Sequence, residues 1–580
     1  MVDLKINNVE TSVPEGTTIL EAARGLGVHI PTLCHLDLHD IKMVNRVGTC
    51  RVCMVEVEGR RNLIPACSTV VSPGMVIHTS TNRAILARRT VVELLLSNHP
   101  RECLTCERNQ NCELQSLAAE LGIREIRYTG PRLHTEKDMS SYSIVRNAEK
   151  CVLCRRCETM CNEVQTVGVY SAVHRGFDTV IGTAFDNPML DTACTFCGQC
   201  VSVCPTAALT ETSDESNVWE ALSDPNKIVI AQTAPAVRVA LGEEFGLPVG
   251  TSVTGKMVAA LRRMGFTKVL DTDFAADLTV MEEATELIHR IQNNGRLPIL
   301  TSCCPAWVKF IEHQFPSLLD IPSTCKSPHE MFGAIAKTYL AKKMGVDPDK
   351  IVVVSVMPCL AKKFEARREE LSLKEGGSDV DFVISTRELA RMIREAGISF
   401  TSLPDEDFDD IMGESTGASV IFGTTGGVIE AAVRTAAAWL DKDNPSPQIE
   451  FKSLRGIDGI REAEVEIAGM KLSIAIANGL GNARKLLTDI RDGKANYHAI
   501  EIMACPSGCV GGGGQPYHGN NVEVLKLRAG ALYTEDESKA LRRSHENPQV
   551  LKLYEEFLGE PYSELAHELL HTHYHERDIL

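Results

Sequence analysis

The spacing of apolar positions changes character along the chain. Near the N-terminus, LKINNVETSVPEGTTILEAARGLG predicts a hairpin followed by a helix starting at Thr17 or Thr18. RVCMVEVEG alternates apolar and polar positions as a strand that ends in a turn. TNRAILARRTVVELLLSNHP carries a helical period. Beyond residue 219 the apolar runs KIVIAQ, KVLDTDF, LPILTSCC, KIVVVSVMPC, VDFVIST, KLSIAIANG and AIEIMAC alternate with helical stretches. That alternation predicts largely parallel sheets buried on both faces. In such folds the functional groups stand beyond the carboxyl ends of strands. Cys303, Cys304, Cys359 and Cys505 all fall at predicted strand ends.

Four regions follow from these shifts. They are a β-rich unit at 1–78, a helical region with a His/Cys cluster at 79–140, a cysteine-rich repeat at 141–218, and a large α/β region at 219–580. The expected class is multidomain, α/β with α+β, as a chain of 580 residues requires. Net charge of −17 argues against nucleic acid, since a phosphate backbone needs a basic partner. No run of about 18 apolar residues is present, so no membrane span is expected. MVDLKINNVETSVPEG lacks the basic and apolar regions of a secretory signal. A cytoplasmic protein is expected, and there clustered cysteines act as metal ligands rather than disulfides.

Of the 21 cysteines, all but Cys303 and Cys325 fall into five groups. Cys34 and Cys67 flank Cys50-Arg-Val-Cys53, a spacing similar to plant-type [2Fe–2S] ferredoxin with a longer first gap, and hence a β-grasp domain. His99, Cys103, Cys106 and Cys112 offer one imidazole and three thiolates, a set that suits either zinc or a [4Fe–4S] cluster. Their iron–sulfur neighbours favour the cluster. Cys151-x2-Cys154-x2-Cys157-x3-Cys161 is repeated as Cys194-x2-Cys197-x2-Cys200-x3-Cys204-Pro205. This is the bacterial two-cluster pattern, in which the fourth cysteine of each run serves the other cluster. Cys151, Cys154, Cys157 and Cys204 are therefore expected to hold one cubane, and Cys194, Cys197, Cys200 and Cys161 the other. Asn162 stands in the first run where the second has proline.

The fifth group is dispersed over Thr301-Ser-Cys-Cys-Pro-Ala-Trp307, Met357-Pro-Cys-Leu-Ala-Lys-Lys363 and Met503-Ala-Cys-Pro-Ser-Gly-Cys509, with Gly511 to Gly514 behind it. Four thiolates from three segments can converge on one cubane, and glycines let the backbone approach a bulky cofactor. These segments resemble the signatures of [FeFe]-hydrogenases, and the likeness extends over the four N-terminal groups. It implies reversible 2H+ + 2e− ⇌ H2 at an H-cluster, a [4Fe–4S] cubane joined to a two-iron unit bearing CO, cyanide and a dithiolate. It also implies one [2Fe–2S] and three accessory [4Fe–4S] clusters. The resemblance assigns Cys304, Cys359, Cys505 and Cys509 to the cubane, with Cys509 bridging to the two-iron unit. Cys303 becomes the proton-passing thiol, Lys362 a cyanide partner, and Met357 and Met503 lining thioethers. It further implies ferredoxin or flavin- and NAD(P)-binding partner subunits as electron donors, H2 and protons as substrates, and maturation proteins that insert the two-iron unit. Related enzymes place serine where Ala236 stands, so one hydroxyl is missing.

Protons need a path. The segment from Thr279 to Arg290 opens with a capping-box pattern, Thr279 and Glu282. Glu283, Glu286 and Arg290 share one helical face, although such charges commonly line a solvated face. The resemblance implies a route through Cys303, Glu283, Ser323 and Glu286 to solvent near Arg290. Other motifs carry less. Gly250-x4-Gly255-Lys256 imitates a phosphate loop, but Met257 stands where magnesium needs a hydroxyl. Gly479-x-Gly481 lacks a third glycine, Arg484 standing in its place, and is expected to be a tight strand-to-helix turn. His567-Glu-Leu-Leu-His571 spells a zinc-protease motif too close to the end for a domain of its own; a C-terminal helix packed on the core is expected. Cys325 is expected to be a buried thiol. The competing assignments are a non-catalytic relay subunit like that of respiratory complex I, and an iron–sulfur assembly or hydrogen-sensing relative. The dispersed cysteines oppose the first and Cys303 opposes the second.

Overall fold

The structure, a computed structural model, describes residues 1–38, 43–45, 47–293, 295–372, 377–440, 450–467, 469–519 and 521–578. The chain divides into two compact units. The first comprises Met1–Glu163, Gly168–Met189 and Val203–Thr210, the second Val164–Val167, Leu190–Ser202 and Glu211–Leu580. The cysteine repeat is thus split, with Cys194, Cys197 and Cys200 belonging to the second unit.

In the first unit, β1 (Val2–Ile6) and β2 (Val9–Val13) form an antiparallel hairpin. Asn7 and Asn8 both take positive φ, as a two-residue type I′ turn requires. With β3 (Met54–Val57), β4 (Ile64–Pro65) and β5 (Val76–His78) they make a five-stranded sheet of order β2-β1-β5-β3-β4, in which β1 and β5 run parallel. Helix α1 (Ile19–Gly25) starts where the sequence predicts. Thr18 caps it in a capping box with Glu21, and Ile19, Leu20 and Ala23 bury its apolar stripe. Helix α2 (Asn82–Asn98) is capped by Thr81 and ends at His99.

The second unit is built on two sheets. β6 (Ile228–Thr233), β7 (Lys268–Asp271), β9 (Ile351–Met357) and β10 (Phe382–Ser385) form a wholly parallel sheet of order β7-β6-β9-β10. Every residue of β9 is buried, as covering on both faces demands. The other sheet has order β8-β13-β12-β11, from β8 (Ile299–Leu300), β11 (Ile460–Ile467), β12 (Met470–Asn478) and β13 (Ala499–Met503). β8, β13 and β12 are parallel, whereas β11 pairs antiparallel with β12 at the edge. All seven apolar runs form strands; β11, absent from that set, keeps its glutamates outward along IREAEVEI. Helices α3 (Thr272–Gln292), α4 (Pro305–Gln314), α5 (Leu480–Arg491) and α6 (Glu564–Leu570) follow strands or close the chain. Among the described residues no helix is long and apolar enough to cross a membrane.

One expectation is corrected. Thr279 and Glu282 do not cap a helix, because α3 already starts at Thr272, where the Asp271 carboxylate accepts from Asp273 N–H at 3.1 Å. Thr279 sits inside the helix and returns its hydroxyl to the Ala275 carbonyl at 2.8 Å. The cap itself is anchored by Arg238, fully buried, which donates to Asp271 at 2.7 Å and to Glu535 at 3.1 Å and stands 3.2 Å from Asp273. Removing one partner of such a cluster strands the others without solvent. Arg238→Ala is expected to destabilise the holoprotein by roughly 3–5 kcal/mol, seen as a lower apparent melting temperature. An unchanged melting temperature would show the cluster to be energetically neutral.

Candidate metal centres and a thiol-lined cavity

All 21 cysteines lie within the described residues, and no disulfide joins any two of them. Cys34, Cys50, Cys53 and Cys67 are all buried, and the neighbouring Cys50 and Cys67 thiols hold the Cys34 thiol well below its ordinary value. His99 leaves the end of α2 into a pocket shared with Cys103, Cys106 and Cys112. Its Nδ1 is buried with no hydrogen-bond partner, and burial pushes the imidazole down to about 4, so the ring is a neutral donor. An orphaned imidazole nitrogen facing three thiols fits a metal or cluster ligand. Lys150 Nζ lies 3.4 Å from Cys106 Sγ and 2.6 Å from Glu107.

Cys151, Cys154, Cys157 and Cys204 line one pocket in the first unit. The internal repeat extends to the backbone. Leu153 and Phe196, each preceding the second cysteine of its run, adopt φ of 54° and 58°. Each donates its N–H to the sulfur two residues earlier at 3.4 Å. Cys161, in the first unit, accepts from Val169 N–H at 3.4 Å. In the second unit Lys309 of α4 donates to the Cys194 carbonyl at 2.7 Å and lies 4.1 Å from the centre of the Phe196 ring. The backbone of Gly198 there touches the glycine-rich loop so closely that a Cβ on Gly513 would meet Gly198 Cα at 2.7 Å.

Three strands of the parallel sheet and two parallel strands of the other sheet send their carboxyl ends to one cavity of about 80 Å³. β6 delivers Ala234 to Ala236, β7 Thr272, β8 Cys303 and Cys304, β9 Met357 to Cys359, and β13 Met503 and Cys505. Cys509 follows a turn in which Gly508 takes φ +87°, and a Cβ there would meet Thr425 N at 2.6 Å. Cys304, Cys359, Cys505 and Cys509 therefore share one wall, and Ala504 N–H donates to Cys304 Sγ at 3.4 Å. Burial, reinforced by the Cys304 charge, pushes the Cys359 thiol up to about 12. Four thiols held this close, with a glycine cradle behind them, fit an iron–sulfur cubane.

Cys303, Lys362, Met357 and Met503 also line the cavity. Lys362 donates to the Cys303 carbonyl at 3.0 Å and to Glu365 at 2.6 Å. Burial and the Glu283 charge push the Cys303 thiol well up. Glu283 accepts weakly from Ser302 N–H at 3.4 Å, and among the described residues its other oxygen has no hydrogen-bond partner. Burial and the charge of Glu286 push it up to about 8. Ser323 Oγ donates to Glu286 at 2.9 Å, and Glu286 pairs with Arg290 at 2.5 Å. The helix face that sequence alone assigns to solvent is buried at both glutamates.

Sequence patterns missed Thr324, His571 and Tyr574. Thr324 Oγ1 lies 2.7 Å from His571 Nδ1, and Tyr574 OH donates to the Ser323 carbonyl at 2.9 Å. The signal was present as the second histidine of the HExxH motif. His571 ends α6, and His567 stacks flat on it at 4.6 Å. Glu286, Cys325 and His571 place donor atoms within 4.8 Å of one another, but both histidine nitrogens already have protein partners. Cys325 is fully buried. Lys256 donates to the Leu403 carbonyl, and Gly479, at φ +83°, turns β12 into α5.

Residues 227–513 match the family model for the C-terminal domain of the iron-only hydrogenase large subunit, and 522–577 that of the iron hydrogenase small subunit. Residues 1–82 match a 2Fe-2S cluster binding domain, 88–127 the NADH-ubiquinone oxidoreductase-G iron-sulfur binding region, and 136–208 a 4Fe-4S dicluster domain. The NADP-reducing hydrogenase subunit HndD of Solidesulfovibrio fructosivorans is 57% identical over 587 residues, covering 100% of both chains. Iron hydrogenase 1 of Clostridium pasteurianum is 42% identical, covering 99% of this chain and 100% of its own. Apo [FeFe]-hydrogenase HydA1 of Chlamydomonas reinhardtii superposes with a TM-score of 0.57 at 42% identity, over 63% of this chain and 99% of that one. The cavity at the strand ends lies inside the matched large-subunit domain, and the chain belongs to the [FeFe]-hydrogenase family, an iron hydrogenase with iron–sulfur domains ahead of its H-cluster domain.

Proposed function

We propose that this chain catalyses 2H+ + 2e− ⇌ H2 at the thiol-lined cavity, with Cys304, Cys359, Cys505 and Cys509 as the protein ligands of the H-cluster. The observation that carries this assignment is the convergence of those four thiols beside a fifth, Cys303, that stands next to a buried carboxylate. When bound, the H-cluster supplies an open Lewis-acidic metal position and exchanges electrons. Lys362 holds its ammonium at the cavity wall, braced by Glu365, where it would stabilise an anionic cofactor ligand. Met357 and Met503 keep the wall apolar and exclude water.

Cys303, Glu283, Ser323, Glu286 and Arg290 form the proton route between cavity and solvent. Glu283, pushed up to about 8, keeps its proton at neutral pH and is ready to hand it on. Cys34, Cys50, Cys53 and Cys67 would hold one [2Fe–2S] cluster, His99, Cys103, Cys106 and Cys112 a [4Fe–4S] cluster, and the two cysteine runs a pair of cubanes, groups that would supply electron transfer. The close backbone approach of Gly198 to Gly513 shortens the last step. The donor is a ferredoxin or a flavin- and NAD(P)-binding partner subunit. The full-length similarity to a subunit of an NADP-reducing hydrogenase supports the second.

Cys303→Ala in the matured enzyme is expected to keep the infrared bands of iron-bound CO and cyanide while losing most turnover; wild-type rates would refute the proton role. Hydrogen evolution should fall as pH rises through about 8, where Glu283 gives up its proton. Glu283→Gln should remove that limb along with most of the rate at unchanged iron content. Gly508→Ala, which forces a Cβ against Thr425, is expected to cost the iron of one cubane, and full iron loading would show that Cys509 needs no such turn.

A further inference from the structure

Two carboxylates hang from successive turns of α3, and the C-terminal segment links them. Glu286 Oε2 accepts from Ser323 Oγ at 2.9 Å and Thr324 N–H at 3.2 Å, and it lies 3.4 Å from Thr324 Oγ1. That hydroxyl is 2.7 Å from His571 Nδ1, and His571 Nε2 is 3.1 Å from Glu282 Oε2. Glu282 is further fixed by Tyr554 OH at 2.5 Å and Tyr562 N–H at 2.9 Å. Backbone bonds clamp both sides of the histidine, with Lys326 N–H donating to Leu570 O and Thr572 N–H to Thr324 O, each at 2.7 Å. His571 is 5% exposed, so these partners are nearly all it has.

A hydroxyl carries one proton, and this decides what Glu286 receives. Glu282 accepts at Nε2, so a neutral His571 places its hydrogen there and leaves Nδ1 as an acceptor. Thr324 then donates to Nδ1, and Glu286 Oε2 keeps Ser323 O–H, Thr324 N–H and the distant Cys325 thiol as donors, while Oε1 pairs with Arg290. When His571 is protonated, Nδ1–H donates to Thr324. The Thr324 hydroxyl hydrogen must turn away from the imidazole, and Glu286 Oε2 is the acceptor waiting for it. The carboxylate gains a donor and faces a nearby positive charge, and both favour its ionised form. Facing His571 are Glu282 and Glu286 from α3, Cys325 from the loop, Tyr562 edge-on, and His567 stacked on the ring.

We propose that His571 is a positioning residue of the proton route: through the single hydroxyl hydrogen of Thr324, its protonation state sets how firmly Glu286 holds a proton. This rests on Glu286 belonging to that route. One hydrogen bond to a charged group corresponds to about a tenfold change in proton affinity.

The test uses matured holoenzyme. Hydrogen evolution and oxidation are measured between pH 5 and 9 for wild type, His571→Gln, Thr324→Val, Thr324→Ser and Glu286→Gln. The expected result is a pH inflection, spanning about tenfold in rate or less, that His571→Gln and Thr324→Val remove and Thr324→Ser retains. Infrared difference spectra should show the protonated carboxyl band of Glu286 shifting with pH in wild type but not in Thr324→Val. Wild-type profiles and bands in both His571→Gln and Thr324→Val, with Glu286→Gln inactive, overturn the proposal and leave the route intact. Full activity of Glu286→Gln overturns the route itself. If His571→Gln does not fold, Thr324→Val decides, because it leaves the backbone bonds of residue 324 in place.

Discussion

Parallel strands point their carboxyl ends one way, and the site of this protein depends on that directionality. Cys304, Cys359 and Cys505 are separated by tens of residues or more, yet each needs only to follow its own strand to reach the same cavity. An antiparallel sheet would send alternate ends to opposite sides. β11, the one antiparallel strand of its sheet, contributes nothing to the cavity. The long helical connections that parallel strands require also bring α3 and α4 to the site, α4 starting at Cys304 itself. Topology thus brings together both the thiols of the cavity and the buried carboxylates of α3.

Gathering buried thiols carries an electrostatic cost that bears on cofactor loading. Cys359 is pushed from 9.0 up to about 12, which corresponds to about 4 kcal/mol for making its thiolate at pH below both values. Structural zinc in zinc-finger peptides binds with roughly 10–16 kcal/mol, so a penalty of this size weakens thiolate ligation without preventing it. Lys362 and the Ala504 N–H to Cys304 act against the same penalty. Glu283 uses burial in the opposite sense, since a carboxyl that resists ionisation is useful for keeping a proton near neutrality.

Much of this was legible in the sequence where chemistry is local. The apolar runs of the α/β region became strands, α1 began at its capping threonine, and the repeated cysteine spacing persisted down to matching φ at Leu153 and Phe196. Thr279 and Glu282 misled because a capping pattern is only four residues long, while the start of α3 is set seven residues earlier by Asp271 and its buried arginine. The edge strand β11 was overlooked because its charged outer face dilutes the apolar signal. Sequence spacing could not place His571 beside Glu286, since nothing local ties residue 571 to residue 286. The histidine motif was visible and its zinc chemistry dismissible, but its neighbours are set by tertiary contact alone.

The loop from Pro322 to Lys326 shows how a relay hydroxyl can be held on a segment outside regular secondary structure. A proton route tolerates little slack, because each transfer needs donor and acceptor within hydrogen-bond reach. Loops ordinarily lack that precision. This one is secured from two sides. On one, Pro322 bridges to Leu300 of β8 and Ser323 N–H donates to the Leu300 carbonyl at 2.7 Å. On the other, Cys325 bridges antiparallel to His571, and Tyr574 OH holds the Ser323 carbonyl. The loop is in effect a short strand between sheet and C-terminal segment, and Ser323 acquires the rigidity of a strand residue. In the proposed route the C-terminal residues after α6 act mechanically, by holding Ser323 within reach of Glu286.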